Sequence, residues 1–170
     1  ALSDKQDLLQ GVLGELKGMS GSSKTRPRIQ IYEGIGGITG MYEEMLQGDE
    51  VRFFSSLKQV KKYFQQLIAP FLKNPTLKVK EILLDDPIDR KFAAEQGPNH
   101  ETRFMPAGLN FTVDLAIWGN KIAISSIKQE LFAVVIESEE IATSLRSLHE
   151  LLWKMLPLKD KNQLGEVSLP

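Results

Sequence analysis

Across residues 28–46 the hydrophobic pattern of this chain changes period at a glycine-rich turn, and few architectures accept that change. Ile29 and Ile31 alternate with polar neighbours, the spacing of a strand exposed on one side. Ile38, Met41, Tyr42, Met45 and Leu46 then recur at helical spacing. Between the runs stand Glu33, Gly34, Ile35, Gly36 and Gly37, a carboxylate and three flexible backbone positions where strand gives way to helix. Proteins of the α/β class commonly hold ligands at such a junction.

The alternation continues downstream. Residues 50–55 read as a short apolar strand, followed by Leu57, Val60, Phe64, Leu67, Ile68 and Phe71 on one face of a helix that stops near Pro75. Residues 77–84 form a third strand closed by Asp85, Asp86 and Pro87, and 88–96 a short helix ended by Gly97 and Pro98. Three strand-helix units in succession predict parallel strands with right-handed crossovers.

The second half changes character. Residues 101–105 are a candidate strand, and Phe111, Val113, Leu115 and Ile117 alternate up to a two-residue Gly119–Asn120 hairpin, beyond which Ile122 and Ile124 continue. Asp114 falls on the polar side of that alternation, a solvated position. Residues 131–136 are nearly all apolar, as in a central strand buried on both faces. Ser138 is placed to cap a last helix with the apolar stripe Ile141, Leu145, Leu148 and Leu152, flanked by Trp153 and stopped by Pro157. The fold class is α/β, a mixed sheet flanked by helices over residues 28–157.

Residues 1–20 form a separate N-terminal helix. Leu2, Leu9, Val12, Leu16 and Met19 lie on a heptad seam interrupted only by Lys5, which suits a dimerising coiled coil or packing onto the domain. Residues 21–27 read as a linker and 158–170 as a loose tail.

With a net charge of −1 and a sequence pI of about 6.2, the chain lacks the basic excess of a domain that grips DNA by its phosphates. No apolar run reaches the roughly 18–20 residues of a membrane span, and no secretory signal pattern opens the chain. The absence of cysteine suits a reducing cytoplasm. The chain starts Ala1-Leu2-Ser3-Asp4 without methionine, as a piece of a longer polypeptide would.

Several short motifs then stand in order: Tyr32, Glu33 and Gly34 with Gly37, Ile38, Tyr42, Glu43 and Glu44; Arg103 to Pro106; Ile117 to Ile124; and Val135 to Ile141 leading into Leu151, Leu152 and Trp153. This series resembles the C-terminal effector domain of TrmB-like transcriptional regulators over roughly residues 1–156. The resemblance implies a phospholipase-D-like fold, a coiled-coil connector that makes a homodimer, and operator DNA bound through a winged helix-turn-helix that this sequence does not contain. It also implies a small-molecule effector, a sugar or other polar metabolite. No cofactor and no metal are expected.

Phosphodiesterases of the phospholipase D type use a histidine nucleophile with a lysine two residues later. Here His100 is followed by Thr102 and His149 by Leu151, so neither makes the pair, and the expectation is a protein that is not an enzyme. His149 reads as structural. The alternative is a diverged phosphodiesterase or other hydrolase with Glu33 or Asp85 as general base.

The candidate ligand residues are Glu33, Gly34, Gly37, Ser55, Ser56, Asp85, Arg103 and Ser125, converging near strand ends, where hydroxyls and carboxylates suit a polyol or other neutral polar ligand. Each has a structural alternative. The glycines permit a tight turn, Ser56 and Asp86 are good helix N-caps, and Arg103 suits either an anion or a neighbouring carboxylate.

Overall fold

A computed structural model describes residues 26–128 and 130–157, with the side chain of Gln59 left out. The N-terminal helix of residues 1–20 with its dimerisation seam, most of the 21–27 linker and the 158–170 tail lie outside the described residues. In order, the elements are β1 (Arg28–Glu33), α1 (Gly34–Leu46), β2 (Glu50–Ser55), α2 (Leu57–Lys73), β3 (Lys78–Leu83), α3 (Pro87–Ala94), β4 (His100–Phe104), β5 (Val113–Trp118), β6 (Lys121–Ser126), β7 (Phe132–Glu137) and α4 (Glu139–Met155).

The strands form one mixed sheet in the order β1-β7-β6-β5-β2-β3-β4. β2, β3 and β4 are parallel neighbours, as the strand-helix alternation predicts, and β5, β6, β7 and β1 add antiparallel ladders. β1 runs in the same direction as β2, but β5, β6 and β7 lie between them. The β1-α1-β2 connection therefore spans three strands, and among the described strands β1 is an edge strand paired with β7.

Side-chain alternation divides the sheet into two surfaces. Val51, Phe53, Val79, Ala116, Trp118, Ala123, Ala133 and Val135 pack with Ile38, Met41, Tyr42 and Met45 of α1 and with Leu57, Phe64 and Leu67 of α2 in the main core. Ile117 and Ile122 on the other surface pack with Ala142 of α4. The molecule is thus a helix–sheet–helix sandwich, thick on the α1–α3 side and thin on the α4 side.

Two expectations for the C-terminal half are corrected. β7 has a neighbour on both sides, but Ala133 and Val135 are buried while Phe132 is exposed, so the strand is not buried on both faces. The stripe Ile141, Leu145, Leu148 and Leu152 does not make the main contact of α4 either. Leu148 is 54% exposed and Leu152 41%, whereas Ala142, His149 and Trp153 are buried. Small Ala142 lets the helix approach Ile117 and Ile122 closely, and His149 fits between Phe54 and a stacked Trp153. Ile29, Ile31, Ile124 and Phe132 of the sheet are exposed as well.

Candidate functional site

The α1–α3 surface of the sheet carries a row of polar side chains where its alternation calls for apolar ones. Ser125 of β6 pairs in register with Asp114 of β5, and Ser55 of β2, Glu81 of β3 and His100 of β4 continue the row on the same side. All five are at least nine-tenths buried. Asp114 is corrected from a solvated position to 3% exposure: Ala116 and Trp118 share its side of β5, and α1 covers them.

These groups are joined. The Tyr42 hydroxyl of α1 donates to Asp114 Oδ2. Ser55 Oγ donates to Glu81 Oε1 at 3.0 Å, and His100 Nε2 lies 2.8 Å from Glu81 Oε2. The His100 ring rests edge-on against Phe92 of α3, 5.5 Å between centroids. Buried Asp89 of α3 accepts the backbone N–H of Leu57 at 2.8 Å, so its carboxyl group sits at the start of α2.

Burial dominates the electrostatics. It holds Asp114 up to about 7; the Tyr42 hydrogen bond opposes this, nearby Glu81 adds to it, and Ser55 opposes it. Burial likewise pushes Asp89 up to about 8, with Asp86 adding to the effect. Tyr42 is raised well above its ordinary value by burial and then by Asp114, so the phenol keeps its proton and donates. Asp114 Oδ1, Ser125 Oγ and His100 Nδ1 still make no hydrogen bond within the protein. Buried polar atoms of a folded chain are nearly always satisfied, by protein or by ordered water, so these atoms leave room for a bound water or ligand to bond with.

There is space for one. A cavity of about 40 Å³ lies against Tyr42, Ser55, Glu81, His100 and Asp114, roofed by the apolar side of α2 with Phe64, Leu67 and Phe71. α2 is not a regular helix there. Phe64 has φ −128° and ψ 28°, and Pro70 follows within the helix, which places a kink over the cavity.

Of the residues picked from sequence, Ser55 lines the cavity and Ser125 pairs beside it; the others stand elsewhere. Glu33 is an exposed extended residue before α1 whose side chain makes no cap bond. Gly34 has φ +69° and donates its N–H to Leu131 O at 2.7 Å, so turn geometry accounts for it, while Gly37 lies within α1, where a Cβ would make an ordinary contact with Tyr32 at 3.4 Å. Ser56 has the backbone of an N-cap but forms no side-chain cap bond, and the first amide of α2 donates to the carboxyl group of Asp89. Asp85 accepts from Arg90 Nε at 2.6 Å, while Asp86 caps α3. Arg103 donates to Leu156 O and lies 4.9 Å from the centre of the Trp153 ring, on the surface opposite the cavity.

Tyr42, Glu81, His100, Asp114 and Asp89 were missed as site residues. A signal existed for two of them. Glu81 sits between Val79 and Leu83, and Asp114 two residues before Ala116, each at an inward position of its strand. Among the described residues no group of three or more His, Cys, Asp or Glu is arranged to hold a metal, and no helix is long and apolar enough to cross a membrane.

No protein-family model and no curated protein sequence matches this chain. Solved structures do. The archaeal chromatin protein TrmBL2, described as having a novel mode of DNA binding, is 15% identical with a TM-score of 0.50; the match covers 93% of this chain, which spans 64% of that one. Nuc from Salmonella typhimurium, a phospholipase D family member, is 14% identical with a TM-score of 0.55, covering 78% of this chain and 97% of its own. NucT from Helicobacter pylori is 9% identical with a TM-score of 0.55, covering 79% and 100%. The seven-stranded mixed sheet with its flanking helices is therefore a phospholipase-D-like α/β fold.

Proposed function

We propose that this chain is the non-catalytic, ligand-sensing module of a TrmB-like DNA-binding regulator. The observation that carries the reading is the buried polar row beneath α1 and α2, with three unsatisfied polar atoms and a cavity beside it. A ligand seated there touches α1, the sheet and the kinked α2 together, so it biases their relative placement, which is what a regulatory domain transmits. The likeness to TrmBL2, a DNA-binding protein, supports the setting. In this reading the chain acts in the cytoplasm as a homodimer through the seam of residues 2–19, and DNA is bound by another segment. The non-catalytic part is supported by the lack of a histidine–lysine pair, by the exposure of Glu33 and by the engagement of Asp85 with Arg90.

A thermal-shift screen of small polar metabolites tests sensing, since a ligand that binds only the folded state raises the apparent melting temperature. A hit is expected to be lost in Asp114→Asn. Hydrolysis of a phosphodiester or glycoside that depends on Glu33 or Asp85 would overturn the non-catalytic reading. Sedimentation with and without residues 1–20 tests the dimer, and a monomer in both cases refutes it.

A further inference from the structure

Acidic groups outnumber basic ones around the cavity. Asp114 and Glu81 line it, and buried Asp89 stands close enough for Glu81 to raise its pKa further. No lysine or arginine is among the lining residues. The one basic group, His100, is engaged with Glu81 through Nε2, which leaves Asp114 with a phenol and no cation. Asp114 is also the group with a free acceptor: Oδ1 is unpartnered in a side chain that is 3% exposed and lines the cavity.

The remaining walls are aromatic. Tyr42 and Phe64 have ring centroids 5.7 Å apart, Tyr42 and Phe71 6.2 Å, and Phe53 and Phe71 5.7 Å, all in tilted or edge-to-face arrangements. Rings beside a buried carboxylate attract a cation without needing a full shell of oxygen ligands. A hard divalent ion needs about six or more oxygens and would find half its sphere hydrocarbon. An anion would meet two carboxylates. A volume of about 40 Å³ holds about two or three water-sized groups, which shuts out a sugar ring unless α2 moves.

We propose that this cavity binds a small monovalent ammonium ion, ammonium itself or a short alkylammonium such as methylammonium, with Asp114 as its carboxylate and the rings of Tyr42, Phe64 and Phe71 as its walls. The inference rests on the sensing role proposed above and narrows it to one ligand class. The N–H groups donate to Asp114 Oδ1 and the neighbouring hydroxyls, and an alkyl group faces the rings. Asp114 is faced by Tyr42 from α1, Ser55 from β2, Glu81 from β3 and Ser125 from β6, with His100 of β4 and Asp89 of α3 one step away. Protons compete with the cation for this carboxylate, so binding weakens in acid.

The test is a thermal-shift titration of the whole chain with ammonium, methylammonium, potassium and sodium chlorides at matched ionic strength, at pH 6 and pH 8. A saturable rise with ammonium or methylammonium is expected at pH 8, smaller at pH 6, with sodium flat and the apparent Kd weakened at least tenfold in Asp114→Asn. A second measurement needs no variant: ¹⁵N-labelled ammonium bound in the cavity shows a slowly exchanging proton signal with cross-relaxation to the Tyr42 and Phe64 rings. Equal responses to sodium or potassium, or a response that survives in folded Asp114→Asn, would overturn the ammonium assignment. If sugars or other neutral metabolites shift the melting point and ammonium does not, sensing stands and the ligand class falls. If nothing of any class binds, both fall.

Discussion

Asp114 occupies a core position of its strand, and its behaviour follows from that placement. Burial holds it up to about 7 and Asp89 up to about 8, so the folded chain keeps protons that the unfolded chain gives up above about pH 4. A folded state that binds the extra protons loses stability as pH rises through this window. His149 works in the opposite sense. Burial, and then Arg52, hold its ring down to about 4, so acid below about 6.5 charges the unfolded ring first and favours unfolding. The two effects oppose each other between pH 4 and 6.5, and above 6.5 only the carboxyl effect remains. The urea midpoint is expected to fall between pH 6.5 and 8.5 and to flatten over that interval in the Asp89→Asn, Asp114→Asn double variant. A midpoint that climbs there in the unaltered chain would contradict the assignment.

At the scale of elements, helix starts and packing faces decide which residues matter. The first amide of α2 is held by Asp89 from another helix, and Ser56, which the sequence nominates, makes no cap bond. Asp89→Ala is therefore expected to cost about 1–3 kcal/mol through the stranded Leu57 N–H, and Ser56→Ala less than about 0.5 kcal/mol. Denaturant unfolding of the two variants separates these outcomes. α4 offers the same contrast. Trp153 is 5% exposed and stacks on His149, so Trp153→Ala should cost about 3–5 kcal/mol. Leu148→Ala should stay within about 0.5 kcal/mol in the isolated domain, because that side chain is 54% exposed. Periodicity located α4 but not its rotation about its own axis. Leucines mark an apolar side, yet Ala142, His149 and Trp153 fit the sheet more closely, and only the sheet's contour selects between them.

Across the whole molecule, the strand order sets where stability is lowest. Among the described strands β1 comes first in sequence but lies at the far edge, paired with β7, with Ile29 and Ile31 exposed at 64% and 66%. β2 and β5 lie in the interior of the sheet between two layers. Amide hydrogen exchange is expected to be fastest in β1 among the strands and slowest in β2 and β5. Protection of β1 equal to that of β2 would mean that another surface covers this edge.

Among the described residues, the elements were legible locally, because hydrophobic period and turn chemistry act over a few residues: the Gly119–Asn120 hairpin, the Asp86 cap of α3 and the Ser138 cap of α4 appear where local spacing puts them. The sequence also marked Ser55 and Ser125. Which side chains meet in the cavity depends on long-range packing. Strand alternation names two sides of a strand but not which layer will bury each, so Asp114 looked solvated until α1 was laid across Ala116 and Trp118. Tyr42, Ser55, Glu81, His100 and Asp114 come from five different elements, and no local pattern encodes their approach. The placement of β1 three strands away from β2 likewise removes Glu33 from the cavity that its glycine-rich turn seemed to frame, because sheet order is set by long-range pairing with β7 and not by the turn itself.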